Sequence, residues 1–218
     1  MEYVLKHTMP GNPRNSEGSF VKLADGTLYF AYSRYCGNSA SDHATADIFA
    51  VTSRDNGTSW SEPVLVFKNR AMNLMSVSLL RLNDGRIAMV YLEKSAIPNW
   101  ENFVDCRPKI VFSGDECASW SEPVEIANVP PAYFVVNNDR LIQLKSGRLI
   151  IPAAHHQYNS TSLGSGIIKF FISDDNGQTW HINKHYILKT IDNITIELFH
   201  HIRNHRSSPY NWIIIIFK

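Results

Sequence analysis

SRDNGTSW spans Ser53–Trp60, SGDECASW spans Ser113–Trp120 and SDDNGQTW spans Ser173–Trp180. The three stretches share Ser, Asp and Trp at fixed places. Each begins 60 residues after the one before it (113 − 53 = 60; 173 − 113 = 60). A fixed period of this length marks a repeat architecture, in which one supersecondary unit recurs. About thirty residues upstream of each box lies a second recurring element. It reads SFVKLADGTLYFAYS, SLLRLNDGRIAMVYL and RLIQLKSGRLIIPAA in turn, with Gly26, Gly85 and Gly147 at the centre. Asp-Gly between alternating apolar residues is a strong hairpin signal. Its two arms are strands A and B of each unit.

A third strand precedes each box: ADIFAVTS, PKIVFS and IIKFFIS. A fourth follows the first two boxes: EPVLVF and EPVEIA. Helical periodicity is absent, β-branched and aromatic residues dominate, and turns recur every ten or so residues. A four-stranded antiparallel unit repeated in this way is a propeller blade, so the sequence predicts an all-β fold. The box is then the turn between strands C and D. Asp55, Asp115 and Asp175 can accept backbone N–H bonds inside it. Gly57 and Gly177 can adopt positive φ, and Trp60, Trp120 and Trp180 can pack between neighbouring sheets. Cys117 stands where the other copies have Gly, which predicts a turn that is strained or differently shaped.

Bulk properties agree with a globular chain. Of 218 residues, 44% are hydrophobic and 19% charged, and the net charge is +1. The isoelectric point is about 7.8 and the mean hydropathy −0.19. No basic or acidic field points to nucleic acid or a membrane surface. Cys36, Cys106 and Cys117 lack metal-type spacing and read as reduced thiols. No metal or other cofactor is expected. The N-terminal MEYVLKHTMPGNPRN has no apolar stretch of the secretory kind. A native N-terminus would imply a cytoplasmic protein, and a removed leader a secreted or periplasmic one.

The pattern S-x-D-x-G-x-x-W is the Asp-box, or BNR repeat, and on these boxes the chain resembles the sialidase (neuraminidase) superfamily. The match covers roughly residues 10 to 182. The resemblance implies a six-bladed β-propeller, of which about three blades are present. Residues 1–182 would hold blades 1–3, and 183–218 a divergent or truncated segment without a further box. An incomplete propeller would be free to self-associate.

Hairpins A–B and C–D share one rim, so the B–C loops and blade entries share the other. Propeller enzymes work on this second rim. The first blade's entry and B–C loop carry Arg14, Glu17, Arg34, Asp42 and His43; the third blade's carry Asn138, Asp139, Arg140 and His155. The resemblance implies that an Arg before the first strand clamps a substrate carboxylate, and Arg14 holds that place. The planar guanidinium fork suits bidentate bonding to a carboxylate. It also implies a catalytic Asp in the first B–C loop, matched by Asp42, with Glu17 beside Arg14 as an orienting or catalytic group. Arg34, His43, Asn138, Asp139, Arg140 and His155 would contact substrate. The implied substrate is a glycan ending in sialic acid or a related acidic sugar, and the implied reaction is exo-glycosidic hydrolysis. The alternative is a non-catalytic propeller that binds glycans or is a degenerate remnant. The superfamily also uses a Tyr nucleophile paired with a Glu, and two more arginines, from later blades. Here only Glu197, Arg203, Arg206 and Tyr210 offer those residue types, outside the repeat.

Overall fold

The computed structural model describes residues 8–100, 103–158 and 163–183, together with 199–200 and 213–214. Glu197, Arg203, Arg206 and Tyr210 lie outside the described residues. Blade 1 consists of β1 (Asn15–Lys22), β2 (Leu28–Tyr35), β3 (Ala46–Ser53) and β4 (Val64–Phe67), hydrogen-bonded in that order. Blade 2 repeats the meander with β5 (Asn73–Arg81), β6 (Ile87–Ala96), β7 (Val104–Ser113) and β8 (Val124–Glu125). In blade 3 the innermost strand is broken into β9 (Tyr133–Val135) and β10 (Ile142–Gln143). Both pair with β11 (Leu149–Tyr158), followed by β12 (Leu163–Ser173) and β13 (His181–Ile182). The chain is all-β, and these three antiparallel units are blades of a β-propeller. Contacts divide the chain into two compact units, residues 1–184 and 185–218. In the second, β14 (Phe199–His200) pairs with β15 (Ile213–Ile214).

The A–B hairpins are one turn built three times. Gly26 N donates to Leu23 O at 3.0 Å, Gly85 N to Leu82 O at 3.0 Å and Gly147 N to Leu144 O at 2.9 Å. Their φ values of 88°, 90° and 90° are ones only glycine adopts without penalty.

The boxes are also one turn built three times. The amides of Gly57, Cys117 and Gly177 donate to the Ser53, Ser113 and Ser173 hydroxyls at 2.8, 2.9 and 2.9 Å. Each box Asp accepts the hydroxyl two residues before it and the amide four residues after it. The second box therefore keeps the shape of the others. Its strain is local: Cys117 carries a side chain at φ +68°, where a Cβ crowds the backbone. Trp60 and Trp180 donate Nε1 to Gly57 O and Gly177 O, both at 3.1 Å. The buried Trp120 Nε1 makes no hydrogen bond among the described residues.

Two cores lie between the blades. Tyr29, Ala31, Ile48 and Ala50 of blade 1 meet Leu74, Ile87, Met89 and Val111 of blade 2. Ala88, Val90, Leu92 and Ile110 of blade 2 meet Phe134, Leu149, Ile151 and Phe171 of blade 3. Successive side chains of β6 thus enter opposite cores, which is why IAMVYL reads as unbroken apolar sequence. Phe67 of blade 1 touches both Tyr91 and Trp120 of blade 2, with ring centroids 5.7 and 6.2 Å apart. Trp60 instead packs on Phe20 and Phe30 of its own blade, and Phe20 remains 53% exposed.

Candidate functional site

The innermost strands explain why side chains converge on the rim opposite the boxes. β1 bulges between Ser16 and Gly18, and β5 between Met75 and Ser78. The bulged residues Glu17 and Ser76 have φ of 47° and 59°. In blade 3 the interruption between β9 and β10 contains Asp139, at φ 59°. A bulge re-aims a side chain at the expense of ladder pairing, and bulges gather beside functional sites. Here they bring blades together: Ser76 Oγ donates to Glu17 Oε2 at 3.1 Å, and Ser19 Oγ donates to Asp139 Oδ1 at 2.5 Å.

Arg14 and Asp42, which the sequence names separately as candidates, meet on this rim. Arg14 Nη1 donates to Asp42 Oδ1 at 2.5 Å and to Ala40 O at 3.2 Å, while Nη2 donates to Ser16 Oγ at 3.0 Å. The guanidinium lies 4.6 Å from the centroid of the Tyr35 ring, a cation–π contact. The pair is reachable from solvent, with side chains 29% and 62% exposed. The hydrogen bond from Arg14 holds the Asp42 carboxyl below its usual range. Glu17 completes the cluster electrostatically with Arg14, Tyr35 and Lys94. His43 sits against Asp42 and Lys94, and desolvation with the nearby ammonium lowers its pKa.

Other predicted residues are placed differently. Arg34 projects to the opposite face of β2 from Tyr35 and stacks 4.7 Å over Phe49. Asn138 Nδ2 donates to Gly18 O at 3.2 Å, so Asn138 and Asp139 both join blade 3 to β1. Arg140 is exposed on the same segment. His155 stacks on Phe134 with centroids 4.7 Å apart, and desolvation lowers its pKa.

Lys94 also belongs to this cluster, although the sequence does not single it out. It lies nine residues past its hairpin glycine (85 + 9 = 94), as Tyr35 and His156 do in their own blades (26 + 9 = 35; 147 + 9 = 156). That periodic position at the end of strand B was the available signal. Lys94 is 2% exposed, and its Nζ donates to Asp42 O at 2.8 Å and lies 5.6 Å from the Tyr133 ring centroid. Among the described residues no group of three or more His, Cys, Asp or Glu side chains could hold a metal ion.

Three Asp-box blades with a polar cluster on the rim opposite the boxes define the class: an Asp-box β-propeller. The BNR repeat-like domain model matches residues 26–198, and the chain belongs to that family. A sialidase from Paraclostridium sordellii is 30% identical over 202 residues, covering 83% of this chain and 49% of that protein. The chain thus spans about half the length of that curated relative. A Dyadobacter fermentans protein of unknown function superposes with a TM-score of 0.67 at 20% identity, covering 83% of this chain and 56% of that one. A Hadza microbial sialidase gives 0.62 at 18% identity, covering 79% and 38%. A leech intramolecular trans-sialidase, solved with 2,7-anhydro-Neu5Ac, gives 0.58 at 14% identity, covering 83% and 46%. At such identities these structures speak for the fold alone.

Proposed function

We propose that this chain carries the acid/base half of a sialidase-type site, acting on glycans that end in sialic acid or a related acidic sugar. The observation that supports it is the Arg14–Asp42 pair, seated on Tyr35 and open to solvent on the rim away from the boxes. Arg14 receives the sugar carboxylate. That carboxylate competes with Asp42 for the guanidinium. Once released, Asp42 loses the hydrogen bond that keeps its pKa low and can take up a proton. It then protonates the departing glycosidic oxygen as general acid and accepts a proton from the incoming water as general base. Glu17 and His43 adjoin this pair, and Asn138, Asp139, Arg140 and His155 of blade 3 are the further substrate contacts of the proposal. The resemblance implies that the nucleophile and the remaining carboxylate ligands come from later blades.

A second reading is a glycan-binding propeller without turnover. One observation favours it: carboxylate binding needs only the Arg14 guanidinium on its Tyr35 support, and both are in place. Hydrolysis of a fluorogenic sialic acid glycoside, with Asp42→Ala in parallel, separates the two. Turnover lost in the variant supports the hydrolase. Sialic acid binding that depends on Arg14, without turnover, supports the binding module. Neither binding nor turnover by folded protein sinks both.

A further inference from the structure

We infer that Lys94 and Asn73 form a latch in blade 2 that positions the Asp42 carboxylate of blade 1 against Arg14. They are cross-strand partners on β5 and β6, and both side chains are buried, at 2% and 0% exposure. Both reach across the blade boundary to the same short loop. Lys94 Nζ donates to Asp42 O at 2.8 Å; Asn73 Nδ2 donates to Ala44 O at 2.6 Å and to Asp42 O at 3.5 Å. Asp42 is thus held at both ends, its peptide carbonyl by blade 2 and its carboxylate by Arg14.

A buried ammonium without a carboxylate partner is costly, and an apolar residue of similar length would fill the space more cheaply. Among the described residues Lys94 makes no ion pair, and the one hydrogen bond from its Nζ ends on Asp42. The loop's own bonds are few: Ala44 N to Ser41 O at 2.8 Å, His43 N to Ser41 Oγ at 3.3 Å, Ser41 N to Ser39 Oγ at 3.3 Å and Cys36 N to Thr45 O at 2.8 Å. Removing the latch frees the loop without removing a residue of the Arg14–Asp42 pair. Lys94 and Asn73 are positioning residues, and their catalytic meaning rests on the proposed hydrolase.

The test needs neither sugar nor turnover, so its failure is distinguishable from failure of that proposal. The charged groups facing Asp42 are Arg14, Lys94 and His43. In the full chain, the Asp42 carboxyl is titrated by carbon-13 NMR in wild type, Lys94→Met and Asn73→Ala. Amide exchange is followed at residues 41–45 and in the boxes. Asn73→Ala changes no charge, so any movement of the Asp42 pKa must come through position. The expected result is an Asp42 pKa rising toward its ordinary 3.8 in both variants, larger in Lys94→Met. Exchange at 41–45 accelerates about tenfold while the box amides keep their protection. If Lys94→Met does not fold, Asn73→Ala decides alone. An unmoved Asp42 pKa in Asn73→Ala, or exchange rising equally everywhere, overturns the latch.

Discussion

On the box rim, Ser53, Ser113 and Ser173 accept the same amide bond to within about a tenth of an ångström. On the opposite rim, the residues nine positions past the three hairpin glycines are Tyr35, Lys94 and His156, which share no chemistry. The blades are one design at one end and three designs at the other. The box turn closes on its own side chains, so its residues are dictated locally wherever the turn is needed. The other rim draws on partners distant in sequence, such as Arg14 with Asp42, 28 residues apart, and Ser19 with Asp139, 120 apart. A repeat can specify its scaffold once per copy, whereas a site needs each copy to differ.

Even the box rim is sensitive to what the preceding blade offers. A Cβ at Gly177 would overlap the Phe112 ring, whereas one at Gly57 would meet nothing closer than 3.7 Å. Both glycines have φ +89°. Gly177→Ala should therefore lose roughly 3 kcal/mol, combining the left-handed penalty with overpacking, and Gly57→Ala only about 1 kcal/mol. Equal losses in urea unfolding would mean that the boxes do not register neighbouring blades. The next test uses Thr52, which holds the place in blade 1 that Phe112 holds in blade 2 (112 − 60 = 52). Cys117 packs on the core shared by blades 1 and 2. Thr52→Phe should cost about 2 kcal/mol by overpacking, and adding Cys117→Gly should recover most of it. Simple additivity would show that the Cys-for-Gly exchange is unrelated to its neighbour.

Acid should affect the boxes together. Hydrogen bonds from the serine or threonine four residues on hold the Asp55 and Asp175 carboxyls at about 2, and the same cause lowers Asp115. Folded pKa values below unfolded ones mean stability that is present above pH 3.8 and lost as pH falls through about 2. Urea midpoints measured from pH 5 to pH 2 should fall across that window. Asp55→Asn should flatten the slope by its own share. An unchanged slope would mean that other carboxylates carry the acid sensitivity.

The division between the rims is also a division in legibility. The boxes, hairpin glycines and four-strand period are visible in the sequence because each is made of residues within one turn or one strand pair. Arg14 and Asp42 stood out as candidates because each matches a place in the first blade that the family resemblance marks. Arg34 lies one residue from Tyr35, and strand alternation sends it to the other face to stack on Phe49. Asn138 and Asp139 were expected to face substrate. The break in the third inner strand also joins both to β1, a contact between blades that no local pattern shows. Lys94 escaped notice because a single Lys in an apolar strand looks like a solvated edge residue. Its burial depends on the neighbouring blade's loop, which no local pattern encodes.

The smallest expected stability effect belongs to the residue with the largest expected functional one. Arg14 touches Asp42, Ala40, Ser16 and Tyr35, yet it is 29% exposed and its partner Asp42 is 62% exposed. An ion pair so open to water contributes about 0–1 kcal/mol, because the aqueous dielectric and side-chain entropy offset most of the attraction. Arg14→Met should therefore unfold within about 1 kcal/mol of wild type while releasing Asp42 toward its ordinary pKa and abolishing binding of an acidic sugar. If the variant instead unfolds several kcal/mol earlier, Arg14 belongs to the scaffold. The rim opposite the boxes would then hold its parts together for stability, as the box rim does.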